Sequence, residues 1–231
     1  MSDFDFAVII DALPWLFAQG LVFTLKLTLL STVLAVALGT ALALMRLSVN
    51  RAVSWLAAGY VNLFRALPLI LIIFWFYFLV PYIVGWVNGS GVPVPVGGFT
   101  SALITFTLFE AAYFCEIIRA GILAVPRGQT DAGYALGLNY AGVMRTIVLP
   151  QAFRNMTPVL LTQVIVLFQD TSLVYVLSLT DFLGAANIVA QRDGRLVEMF
   201  IFAALVYFVI SYAASRLVRR LQARYGVARQ G

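Results

Sequence analysis

The sequence predicts an all-α, polytopic membrane protein with five transmembrane helices, and three observations carry that prediction. Of 231 residues, 62% are hydrophobic and 11% charged, with a mean hydropathy of +0.97, too apolar for the surface of a soluble domain. The apolar residues gather in runs of about 20, the length at which a helix crosses a bilayer while satisfying its own backbone hydrogen bonds. Those runs do not alternate: "LILIIFWFYFLV" is apolar on every face, whereas a spanning barrel shows segments of about ten residues that alternate apolar and polar positions.

The expected spans lie at about 20–46, 66–87, 100–123, 152–178 and 197–217, within a single transmembrane domain over residues 1–231. Ahead of the first, "MSDFDFAVIIDALPW" is acidic where a signal peptide is basic, so no cleavage is expected there. In span one, Ala35, Gly39 and Ala43 stand four apart, a spacing that lets two helices approach closely and that ordinary helix packing accounts for. Pro68 is expected in the first turn of span two, where its missing amide hydrogen is not needed. The aromatic "FWFYF" of the same span reads as lipid contact or packing rather than a ligand cage. Cys115, the single cysteine, lies in span three, so neither an intrachain disulfide nor a cysteine metal cluster can form. Histidine is absent, which leaves no Ser/His/Asp or Cys/His constellation and no catalytic residue to nominate.

Arginines set the orientation. Arg46, Arg51 and Arg65 fall between spans one and two; Arg127, Arg145 and Arg154 lie between or beside spans three and four; Arg216, Arg219, Arg220, Arg224 and Arg229 follow span five. The positive-inside rule places these segments, and the carboxyl terminus, in the cytoplasm. The uncharged loop "GWVNGSGVPVPVGG" then lies outside with the amino terminus. So does the segment after span four, where Arg192 and Arg195 face Asp181, Asp193 and Glu198. The tail "SRLVRRLQARYGVARQ" needs only anionic lipid as a partner, so the net charge of +5 does not call for nucleic acid. No internal repeat is visible, which disfavours a secondary transporter built from inverted repeats.

Between spans three and four, at about 125–150, a polar stretch reads as two short helices. Thr130 is the expected N-cap of the first, with Asp131 at its positive end, and Gly137 permits the left-handed turn that ends it. Tyr140 to Val148 forms the second, and Pro150 is expected to close the loop before span four. Taken alone, such a loop is either a cap on the bundle or a projecting cytosolic element.

The pattern Asp131-Ala132-Gly133, three residues, Gly137, nine residues, Ile147-x-Leu149-Pro150 resembles the EAA motif of binding-protein-dependent ABC importer permeases, E-A-A-x3-G-x9-I-x-L-P. Asp131 departs from the glutamate but keeps its charge; Gly133 replaces the second alanine and weakens the helix by roughly 1 kcal/mol. The stretches "FRALPL", "EIIRAGILAVPRGQ", "LPQAFRNMTP" and "DTSLVYVLSLTDF" are similar to the polar amino acid (His/Glu/Gln) branch of that family, and "LKLT" with "VLFQDTSLVYVLSLTDF" to its glutamate/aspartate permease subunits. The resemblance implies a type I ABC importer permease fold in a bacterial cytoplasmic (inner) membrane. It implies a pair of permease subunits, a sister chain being favoured over a second copy, with two ABC ATPase subunits and a periplasmic amino acid binding protein. It further implies that the 131–150 loop docks on the ATPase and couples its closure to the membrane helices. The chain has no G-x4-G-K-[S/T] phosphate loop, so ATP and Mg would be bound by the partner ATPase, with no cofactor or metal held here.

Charges inside a membrane cost several kcal/mol, so each one there is a functional candidate. Glu110 falls near the middle of span three, and Glu116 and Arg119 share a face near its cytoplasmic end, where a structural pair is the simpler reading. Asp170, flanked by Gln169, Thr171 and Ser172, offers a polar cluster in the outer half of span four that suits a substrate ammonium. Lys26, the only lysine, lies in the outer part of span one; it either neutralises Asp170 or Glu110 or meets an anionic substrate on the translocation path. Three readings stay open at this level: an importer permease, a self-sufficient secondary carrier or channel that uses the buried acids, and a structural scaffold. Dependence on an ATPase and a binding protein separates them.

Overall fold

In the computed structural model, which describes residues 4–224, every regular element is helical among those residues. Five helical stretches are long and apolar enough to cross a membrane: Phe6–Arg46, Leu69–Val87, Gly98–Leu123, Tyr140–Leu177 and Leu196–Ala223. Arg229 and residues 1–3 lie outside the described residues.

The first stretch begins well before the expected residue 20. Asp5 caps helix α1, Phe6–Trp15, by accepting the amide of Ala7 at 2.9 Å, and α2 runs Val22–Arg46. Pro14 has no amide hydrogen to give and would ordinarily interrupt the ladder. A widened π turn over Leu16–Leu21 follows it and keeps the rod continuous into α2. Pro14 and the Gln19-Gly20 pair break the apolar run in the sequence, but they do not break the helix.

Helix α2 packs along α5, Gly98–Leu123, and this pair forms the centre of the bundle. Lipid tails are as apolar as leucine, so close packing of small groups holds such helices together. Ala35, Gly39 and Ala43 are buried against Ala111, Ala112, Phe114 and Cys115. A Cβ at Gly39 would lie 2.9 Å from the Ala111 carbonyl oxygen, which leaves no room for a larger residue. The small-residue stripe is therefore used within the chain.

Between the first two spans lies α3, Arg51–Ala66, which the apolar runs do not reveal. Asn50 caps it by accepting the amide of Ala52, and Ala57 and Val61 are its buried residues. Its Tyr60 hydroxyl donates to the Leu108 carbonyl at 2.7 Å, tying it to the middle of α5. Leu67 and Pro68 are extended and break the helix, so Pro68 is the N-cap of α4, Leu69–Val87, rather than a residue of its first turn.

The segment after α5 comprises α6, Arg127–Ala135, and α7, Tyr140–Val143. A second π turn, Met144–Val148, then leads into α8, Leu149–Asp170, and a 3-10 segment Thr171–Leu177. Pro150 thus does not close a loop. The widened turn lies across the carbonyl of Thr146, which its missing amide would have bonded, and the helix enters the span from Tyr140 onward. Helix α9, Phe182–Asp193, is a second element absent from the apolar-run reading; α10, Leu196–Arg224, is longer at its carboxyl end than the expected 217. Phe182, Ala185, Ala186 and Val189 of α9 pack against Ala12 and Leu16 of the first rod and Met199 and Ala203 of α10.

Candidate functional site

The segment between α5 and α8 is built by its caps. Pro126 is extended and starts α6 at Arg127, three residues before the expected Thr130, so Asp131 sits inside the helix rather than at its positive end. Thr130 instead donates its hydroxyl to the Arg127 carbonyl at 2.6 Å. Gly137 has a φ of 83°, the left-handed region that an L side chain resists. Around it the Gly137 amide donates to Tyr134 (2.9 Å) and the Leu138 amide to Gly133 (3.2 Å), the crossed pair of a Schellman motif. Asn139 then caps α7 by accepting the Gly142 amide at 2.9 Å.

The two short helices fold onto the base of the span. Gly133 is buried, and a Cβ there would lie 2.5 Å from Cδ1 of Ile147, so the glycine that weakens α6 also lets it settle on the π turn. Val125, Val143, Val148 and Ala152 form a small core beneath, and Gln151 donates to the Gln129 side chain and the Ile147 carbonyl. Asp131, Ala132 and Pro150 are exposed, while Ile147 and Leu149 are half-buried. The seven motif residues therefore belong to one folded element. Beside them, Tyr134, Leu136 and Tyr140 stand exposed, Leu136 at 82%, on the face that the bundle does not cover. The reading of the sequence missed these three; apolar side chains flanking the turn glycine in an otherwise polar stretch were the available signal.

The polar groups within the spans do not form one site. Glu110 is fully buried; one carboxylate oxygen accepts from Gln163 at 3.0 Å and the other has no hydrogen-bond partner. Glu116 is the centre of a clamp, accepting Arg46 of α2 at 2.7 Å and Arg119 at 2.8 Å. A half-buried Asp170 ends α8, Gln169 is exposed, and the buried Thr171 donates to the Phe168 carbonyl; Ser172 begins the 3-10 turn beside them. Lys26 forms no ion pair with Glu110 or Asp170 among the described residues. It lines a cavity of about 590 Å³ with Gln19, Phe23, Phe99 and Thr180. A second cavity of about 420 Å³ holds Arg65, Glu116 and Asn155, with the Arg65 guanidinium 5.4 Å from the Tyr113 ring. The sequence places Arg65 between spans one and two, and its approach to Tyr113 depends on the packing of α3 on α5, which no local pattern displays.

Between the last two spans, Asp181 accepts the amides of Leu183 and Gly184, both at 3.0 Å, and caps α9. Beside it the Phe182 amide donates to the Thr24 hydroxyl at 3.0 Å, joining α9 to α2. Burial pushes the Asp181 carboxyl up to about 7, against the pull of those hydrogen bonds.

The chain is thus a five-span bundle with a capped helix pair at one end and apolar side chains bared on that pair. Residues 35–227 match the family described as binding-protein-dependent transport system inner membrane component, and the chain belongs to that family. It is similar to the glutamate/aspartate import permease protein GltK of Escherichia coli O6:H1, 51% identical over 97% of this chain and 99% of that one. It is also similar to the arginine transport system permease protein ArtQ of Bacillus subtilis, 34% identical over 89% and 90% of the two chains. Among solved structures, an amino acid ABC transporter described with histidines aligns at a TM-score of 0.84 and 32% identity over 95% of this chain and 98% of that one. The inward-facing MetNI methionine ABC transporter shares the fold, with a TM-score of 0.67 at 21% identity over 90% and 96%.

This chain is accordingly a multi-pass inner membrane protein and the non-catalytic permease subunit of an ABC importer, with ATP handled by a partner ATPase. Family membership sets aside the self-sufficient carrier and the scaffold.

Proposed function

We propose that the chain imports acidic amino acids, glutamate and aspartate, delivered by a periplasmic binding protein, and that α6 and α7 are the surface on which the ATPase docks. The 51% identity to a glutamate/aspartate import permease over nearly the whole chain carries the substrate. The exposed Tyr134 and Leu136, ahead of the fourth span, and Tyr140 at its first residue carry the docking surface, because apolar side chains bared on a tightly capped helix pair at the membrane edge call for a protein partner. In this reading the seven motif residues shape and support that surface, and the arginine-bearing end of the bundle faces the cytoplasm, with the amino terminus outside. A sister permease completes the pair.

The substrate path runs from the Lys26 cavity on the outer side, past the polar cluster of Gln169, Asp170, Thr171 and Ser172 and the buried Glu110, to the Arg65 and Glu116 cavity on the inner side. Lys26 is the one ammonium in the chain, exposed and unpaired with Glu110 or Asp170, and so placed to attract a side-chain carboxylate. Lys26→Met is expected to raise the aspartate concentration needed for half-maximal ATP-driven uptake in proteoliposomes by about tenfold or more, the strength of one hydrogen bond between charged groups, with little effect on glutamine. Unchanged aspartate uptake would remove Lys26 from the path.

A further inference from the structure

At the end of the bundle where α2, α3 and α5 meet, a cavity of about 360 Å³ is lined by Arg46, Ser48, Arg51, Ser54, Trp55, Ala58 and Arg119. Its charge is unbalanced. Arg46 and Arg119 share a single carboxylate, Glu116, and Arg51 forms no ion pair among the described residues. Three guanidinium groups against one carboxylate leave two positive charges around one opening. Arg46 commits Nη1 to Glu116, and Arg119 commits Nε and Nη2, so each keeps donors free to turn elsewhere. The serines are engaged locally: Ser54 donates to the Arg46 carbonyl and Ser48 accepts the Asn50 amide. This fixes the α2–α3 turn and holds Arg46 and Arg51 on the two sides of the cavity.

We infer that this cavity binds the head group of an anionic phospholipid. Planar guanidinium forks match the paired oxygens of a phosphodiester, the anionic group that phospholipid head groups present at a membrane surface. Basic pockets between transmembrane helices hold acidic head groups in this manner. The lipid, rather than free phosphate, is indicated by what borders the arginines. Trp55, which lines the cavity, is 80% exposed, an amphipathic ring of the kind that sits at the level of lipid head groups and the start of their acyl chains. The Arg46–Glu116–Arg119 clamp joins α2 to α5 directly beneath, so the bound head group would add a negative charge to a junction that carries an excess of positive charge.

The test is native mass spectrometry of the full-length chain, delipidated and then titrated with phosphatidylglycerol, phosphatidylcholine or inorganic phosphate. Phosphatidylglycerol is expected to be retained in preference to phosphatidylcholine and not displaced by inorganic phosphate. Arg51→Gln is expected to weaken that retention about fivefold, the loss of one interfacial cation, and Arg51→Lys, which keeps the charge and loses the planar fork, to weaken it less. Arg51 is exposed, so neither variant disturbs the bundle core. Equal retention of the two lipids, displacement by phosphate, or retention unchanged in Arg51→Gln would each overturn the assignment.

Discussion

Gly137 stands at the one position of the capped helix pair where the backbone itself excludes a side chain. Its φ of 83° brings the crossed amides of residues 137 and 138 back onto the last turn of α6. An L residue held there costs about 1–2 kcal/mol, and aspartate adds a charge beside the exposed Leu136. Gly137→Asp is therefore expected to abolish ATP-driven uptake while the subunit remains inserted and folded; normal uptake in that variant would contradict the coupling role. Glu116 presents the opposite case, a residue whose importance is electrostatic. Replacing it with glutamine leaves Arg46 and Arg119 without their shared carboxylate. Because the three side chains are 19–28% exposed, water offsets part of the loss, leaving a cost of about 1–2 kcal/mol. The unfolding midpoint of Glu116→Gln in detergent should fall accordingly, and an unchanged midpoint would show that the clamp adds no stability.

At the scale of elements, α9 is held to its neighbours by polar groups as well as by packing. Asp181 caps it, Thr24 of α2 accepts the next amide, and the Tyr207 ring of α10 packs 5.8 Å from the Phe182 ring. The Asp181 pKa near 7 lies above its value in an unfolded chain, near 4. Between those two values the folded state keeps a proton that the unfolded state has lost, so stability falls as pH rises from about 4 to about 7 and then levels, by at most about 1.4 kcal/mol per pH unit. Asp181→Asn, which keeps one acceptor oxygen for the cap and cannot titrate, should flatten that slope in unfolding midpoints taken across this range. A slope that persists in the variant would assign it to another group. The same elements show what the sequence makes legible. Three long apolar runs stand as helices close to where hydropathy puts them, because a spanning helix must be apolar throughout, while the first and fourth begin more than ten residues earlier, where a π turn carries the helix past a break in the apolar run. α1 was hidden by Pro14, since a proline reads as a stop while the π turn that accommodates it leaves no mark in composition. α3 and α9 were hidden because they are short and only partly apolar, so no window of spanning length detects them. The motif residues were legible through their fixed spacing. Their apolar neighbours Tyr134, Leu136 and Tyr140 were not, because exposure depends on which face of α6 rests on the π turn.

For the whole molecule, the apolar surface divides between lipid and partners. Trp75, Phe78 and Tyr82 on α4 and Leu205, Phe208 and Val209 on α10 are exposed in the chain alone, as expected of a subunit that meets both a bilayer and a second permease. The helix pair at the arginine-bearing end is different, since its exposed Tyr134 and Leu136 lie outside the five spans and Tyr140 stands at the first residue of the fourth. In the function proposed above, the ATPase drives the permease through this surface, and the signal of the binding protein crosses the bundle to reach it. The measurement that tests this most directly is ATPase activity in nanodiscs. This chain would be co-expressed with the ATPase and the sister permease proposed for it and assayed with and without binding protein, empty or loaded with glutamate or aspartate. The account predicts hydrolysis stimulated only by the loaded binding protein; stimulation that ignores the binding protein, or substrate movement down an ion gradient with no ATPase present, would contradict it.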